Sequence, residues 1–83
     1  MTVYMPKEVH YRFRQRRGME LASSRTIRKK GELWIVPSQA GSGYYLVDLR
    51  PDQATCTCED YRKNQWNCKH IFAAFYRQLR ERS

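Results

Sequence analysis

Three cysteines and a histidine stand close together late in this 83-residue chain: Cys56-Thr57-Cys58, then Cys68-Lys69-His70. They are all the cysteines of the chain and one of its two histidines. Thiolate and imidazole are strong ligands for zinc, and three sulfurs with one ring nitrogen complete a closed tetrahedral site. A plainer reading exists for each residue alone, since an isolated cysteine in a small domain is usually a buried apolar filler. Two cysteines one residue apart, with Cys-x-His close downstream, fit that reading poorly. A redox dithiol favours a two-residue gap and leaves His70 without a role. A catalytic zinc keeps three protein ligands and an open position, whereas four strong ligands stand here.

The spacing dictates where these residues sit. Side chains two apart point the same way on extended backbone, so Cys56 and Cys58 can converge on one ion. Two residues apart on a helix differ by about 200° in direction, so Cys68 and His70 cannot both ligate from mid-helix. Cys68 is therefore expected just before a helix and His70 in its first turn, with the metal clamping that helix to the preceding strand. Ile71, Phe72, Phe75, Tyr76 and Leu79 give that helix an apolar stripe over about 70–82. Arg77, Arg80 and Arg82 suit the negative end of its dipole.

Upstream, an α+β arrangement is expected, with a three-stranded antiparallel sheet over about 24–30, 32–37 and 44–50. Thr26 and Ile27 are β-branched. Lys30-Gly31 supplies turn chemistry. Pro37 cannot donate to a central ladder and belongs where the second strand runs out into the loop Ser38 to Gly43. Strands two and three then form a hairpin. Both faces of these strands are partly apolar, which predicts cover on both, and Pro51 to Gln53 turns the chain toward the cysteines. An N-terminal helix is expected over about 7–22, with Pro6 in its first turn and Val9 and Phe13 on one face. Gly18 interrupts it, so Met19 to Ser23 either continues the helix after a bend or forms a second turn. His10 is expected on a solvated surface of this helix. Trp34, Phe72 and Phe75 are expected in the core, with Trp66 beside the metal site.

Residues 1–83 read as a single domain: a basic helical segment over 1–23, then the sheet and the metal-binding finger over 24–83. A chain this short has a small core, and zinc can add about 10–16 kcal/mol of apparent binding free energy to folding. No transmembrane-length stretch occurs and the N-terminus has no secretory pattern. Three thiols cannot all pair as disulfides. These features predict a reducing, intracellular setting, cytoplasmic or in the nucleoid or nucleus.

Lys and Arg number 16 against eight Asp and Glu, a formal charge of +8, and a zinc–tris-thiolate centre lowers that by only about one unit. The excess favours a polyanionic partner: nucleic acid before an acidic protein or an anionic membrane. Arg12, Arg14, Arg16 and Arg17 form the densest basic cluster, and Arg25, Arg28, Lys29 and Lys30 a second. Arg62 and Lys63 lie in the zinc loop. All ten are candidate phosphate contacts, because Lys and Arg on the backbone dominate nucleic-acid affinity. Lys69, between two ligands, either offsets the zinc–thiolate charge or adds a contact. Tyr11, Phe13, Tyr61 and Trp66 interleave with these charges and either stack on unpaired bases or pack. Paired carboxylates, a nucleophile–base set and a phosphate-cradling glycine loop are all missing, so no enzyme is expected.

The pattern Cys-x-Cys, spacer, Cys-x-His resembles the SWIM zinc finger, with Cys56, Cys58, Cys68 and His70 at all four positions. The resemblance implies two strands and a helix holding one zinc ion over about 44–79. It also implies DNA binding or protein–protein contact, as in the mobile-element transposases, chromatin remodellers and recombination-associated proteins that carry such modules. The stretch 31–44 (GELWIVPSQAGSGY), with Val47-Asp48-Leu49 and Cys56 to Asp60, is similar to the N-terminal SWIM region of some bacterial transposases. No catalytic carboxylate domain follows, so the expectation is a DNA-binding part or accessory factor of a mobile-element or DNA-processing system. The alternative is a zinc-finger adapter between proteins in a DNA-associated complex.

Overall fold

A computed structural model describes residues 7–39 and 41–82, with side chains from residue 11 onward. The expectations for Pro6 and for the side chains of Val9 and His10 lie outside the described residues. Helix α1 runs over Lys7–Ser24, followed by β1 (Arg28–Lys30), β2 (Leu33–Pro37), β3 (Tyr44–Asp48) and β4 (Thr55–Cys56), then α2 (Glu59–Asn64) and α3 (Lys69–Arg82). The architecture is α+β. The four strands form one antiparallel sheet in sequence order.

Four strands replace the three expected, because Thr55 and Cys56 pair with Asp48 and Val47. That short ladder ties the first metal ligand to the sheet. β1 is shorter than expected: α1 continues to Ser24, and only Arg28–Lys30 pair with β2. Gly31, with φ 62°, makes the tight turn between them, a conformation open to glycine at little cost. Pro37 is the last residue of β2, opposite Tyr44, and the Ser38 N–H donates to Gly43 O at 3.0 Å to close the loop.

Gly18 does not interrupt α1. It lies at the crossing of α1 over α3, where a Cβ would overlap Phe72 Cβ and come within 2.9 Å of the Lys69 carbonyl. The glycine is there for close approach, at a cost of roughly 1 kcal/mol in helix propensity. α1 packs along α3 rather than on the sheet. Its Phe13 is half-exposed. Among the described side chains of α1, Gly18, Leu21 and Ala22 are the buried positions.

α3 covers one sheet face. Trp34, Val36 and Val47 are buried there with Ile71, Ala73 and Ala74. Burying such apolar side chains contributes roughly 1.5–3 kcal/mol each. The opposite face, with Leu33, Ile35, Leu46 and Tyr44, is half-buried or exposed. Cover on both faces was expected; with α1 on α3, no described element remains for the second. Trp34 and Phe72 are in the core as expected. Phe75 is not: it is 45% exposed.

Candidate metal centre

Each ligand is set at the end of an element. Cys56 closes β4. Cys58 caps the N-terminus of α2 with extended backbone (φ −73°, ψ 160°), and its sulfur accepts the Tyr61 N–H at 3.4 Å. Cys68 precedes α3, and its carbonyl accepts the Phe72 N–H at 3.1 Å. His70 is the second residue of α3. The expected placement of Cys68 before the helix and His70 in its first turn therefore holds, and the cluster joins sheet to helix.

α2 was not expected from the sequence. The signal for it was local: Glu59 and Asp60 in its first turn and Arg62 and Lys63 in its last, the charge order a helix dipole favours. Gln65 ends it in a left-handed conformation (φ 60°), its N–H donating to Tyr61 O at 2.8 Å.

The four ligand atoms lie within 4.8 Å of one another, and all four residues are buried. His70 Nδ1 is 3.8 Å from Cys68 Sγ. Zinc bonds of about 2.3 Å to sulfur and about 2.0 Å to nitrogen place tetrahedral ligand atoms about 3.6–3.8 Å apart. No disulfide joins the cysteines. His70 Nε2 is buried and has no hydrogen-bond partner among the described residues. The nitrogen that faces the sulfurs is Nδ1, at the spacing of two ligands on one zinc ion. Tyr45 packs against that ring at 4.3 Å between centroids and fixes its orientation.

Charge divides unequally among the sulfurs. The Cys68 thiol is brought down to about 4, chiefly by a hydrogen bond from Cys56, with His70 and the Ile71 N–H helping. The same contact pushes Cys56 up, and burial adds to it. Burial raises Cys58. The protein's own groups stabilise one thiolate; two further negative charges in this space need a cation between them. The Cys58 N–H pointing at Cys56 Sγ (3.5 Å) further suits anionic sulfur. Donor set, burial and spacing fit zinc, and these four residues form the zinc site.

A second constellation braces the site. Arg14 on α1 makes paired hydrogen bonds to Asp60, Nε to Oδ2 and Nη2 to Oδ1, both 2.8 Å. Its guanidinium lies 4.4 Å from the Trp66 ring centre. The Arg14 hydrogen bonds hold Asp60 at about 2, well below the usual carboxylate range, with Asn64 also contributing. Trp66 therefore packs beside the site as expected, under Arg14. Nothing local signals this clasp, since Arg14 and Asp60 are 46 residues apart. Tyr61 is in the core, with its hydroxyl accepting from Gln53 Nε2 at 3.0 Å.

Of the other cations named as phosphate contacts, Arg12, Arg16, Arg17, Arg25, Arg28, Lys29, Lys30, Arg62 and Lys63 are all exposed. Arg16 lies 3.7 Å from Glu20, and Lys29 stands 5.6 Å from the centre of the Trp34 ring. Lys69 donates to Gln39 Oε1 at 3.0 Å.

Fold and site together define a small zinc-stapled binding module. Residues 45–79 match the family model of the SWIM zinc finger, and all four ligands fall inside that span. That segment is similar to the SWIM zinc finger, and α1, β1 and β2 lie outside the matched span. No curated protein and no solved structure matches the chain.

Proposed function

We propose that the protein is a non-enzymatic zinc-finger module that binds nucleic acid, DNA first and RNA second. In this reading it serves a mobile-element or DNA-processing system, working in a reducing compartment where its thiols stay free for metal. The observation that carries the reading is the unmatched positive surface. Arg12, Arg17, Arg25, Arg28, Lys29, Lys30, Arg62 and Lys63 are exposed and make no ion pair among the described residues. They sit on α1, β1 and α2 and in the stretch before β1. Such cations dock on phosphates and release counterions, which makes affinity fall with salt. Arg14 belongs to the clasp and is the weakest candidate of the ten for phosphate contact.

The experiment is duplex affinity against salt on zinc-loaded protein. Five neutralised phosphates give a log–log slope of about −4 to −5. No binding to DNA or RNA at low salt would sink the reading.

A second reading, an adapter between proteins, is favoured by the apolar outer sheet face, where Tyr44 is 63% exposed and Leu33 37%. Exposed Phe75 and Leu79 on α3 add to it. Recovery of a defined protein after nuclease treatment, lost in Ile35→Ser/Leu46→Ser, supports the adapter over the nucleic-acid reading.

A further inference from the structure

One cleft, about 610 Å³ with the place of the metal included, opens onto the zinc centre, with Cys58, Cys68 and His70 in its floor, between α1, the loop after β2, β3 and the starts of α2 and α3. That volume lies within the range of small-molecule sites, roughly 300–1,000 Å³. Its walls differ in chemistry. Phe13 and Arg17, four residues apart on α1, share one face of the helix and both line the cleft. Phe13 is 49% exposed, a large ring at the wall of a cleft. Tyr45 lines the cleft and backs onto the His70 ring. Lys69 stands across from α1, oriented by Gln39. Glu59 is the exposed carboxylate of the lining.

We infer that this cleft takes one unpaired nucleotide of a nucleic-acid strand, its base against Phe13 and its phosphates against Arg17 and Lys69. The inference rests on the nucleic-acid reading above and refines it from polyanion binding to single-strand recognition. A nucleotide presents a π-face, a polar edge and an anion, and the lining offers an aromatic face, amide and carboxylate groups, and two cations. Gln39 and Glu59 can accept from the exocyclic amino groups of the base. In a duplex both faces of a base are covered by its neighbours, so Phe13 has nothing to stack on. In a single strand the face is available, and such stacking carries much of the affinity. Tyr11 does not share this role: it packs edge-on against Phe72 at 5.0 Å.

The test is fluorescence anisotropy on zinc-loaded protein at ~0.15 M salt with a labelled mixed-sequence 12-mer, single-stranded and as a duplex. The single strand is expected to bind at least about tenfold more tightly. Phe13→Ala should weaken the single strand by about five- to a hundredfold and change duplex affinity less than about twofold. Phe13 is half-exposed, so the variant should keep its zinc and fold, checked by metal content and circular dichroism. Phe13→Trp should restore binding, with its added fluorescence quenched by the single strand. Equal affinity for both forms, or indifference of the single strand to Phe13→Ala, overturns the inference while leaving the duplex reading standing. Competition by an equally charged poly-glutamate peptide as effective as the oligonucleotide also overturns it, since the cleft would then read charge alone. Failure of both forms to bind overturns the parent reading and this one with it.

Discussion

Cys56, Cys58, Cys68 and His70 were legible as a set because their chemistry and spacing are local: a short spacing constrains direction wherever the chain goes next. Their electrostatics were not. With Cys68 brought down to about 4 and the Cys56 and Cys58 thiols pushed up, zinc competes at neutral pH with two protons. Metal affinity should therefore rise about a hundredfold per pH unit between about pH 7 and 8, measured by competition with a chelator. A slope near zero would mean that the ligands are not thiols in that range. Arg14 shows the limit of local reading. Among Arg12, Arg16 and Arg17 it looks like one more phosphate contact, yet its partners Asp60 and Trp66 lie across the fold. Asp60 is depressed in the folded state, so the pair contributes stability that is complete above the ordinary aspartate range. That contribution is lost as pH falls through about 2. Protons release zinc well before that, so the pair is best measured at pH 7. A double-mutant cycle with Arg14→Ala and Asp60→Ala should give a coupling of about 1 kcal/mol, modest because Asp60 is over a third exposed.

At the scale of elements, hydrophobic periodicity located α3 and turn chemistry located the β2–β3 hairpin. Gly18 was misread, because a glycine within a helical stretch signals either a break or a close approach, and only the neighbour decides. The neighbour here is α3. Gly18→Ala should lower stability by about 1–3 kcal/mol through overpacking against Phe72 and the Lys69 carbonyl, despite alanine's better propensity. Thermal unfolding checks this; a raised melting temperature would show that the two helices can part without cost. Helix α2 escaped detection because six residues hold too little periodicity to register, although its acidic start and basic end were in plain view. β4 is shorter still, and only pairing with β3 makes it a strand.

Across the whole molecule, the metal replaces part of the core that a chain of 83 residues lacks. Cys56, Cys58 and Cys68 belong to the same buried cluster as Trp34, Val36 and Val47, so ligand loss is core loss. Cys58→Ser and His70→Ala should each lose zinc and much of the cooperative unfolding transition. That one sheet face has no cover among the described residues could not be read from β2 and β3, whose faces are both partly apolar; it follows from α1 choosing α3 as its partner. Among the described residues no helix is long and apolar enough to cross a membrane. The central claim is that one zinc ion, held by three sulfurs and an imidazole, fastens α3 to the sheet. Native mass spectrometry paired with circular dichroism, before and after a strong chelator, tests it most directly. One zinc per chain, removed by the chelator together with the folded signal, is the expected result; a folded chain with no stoichiometric metal would contradict it.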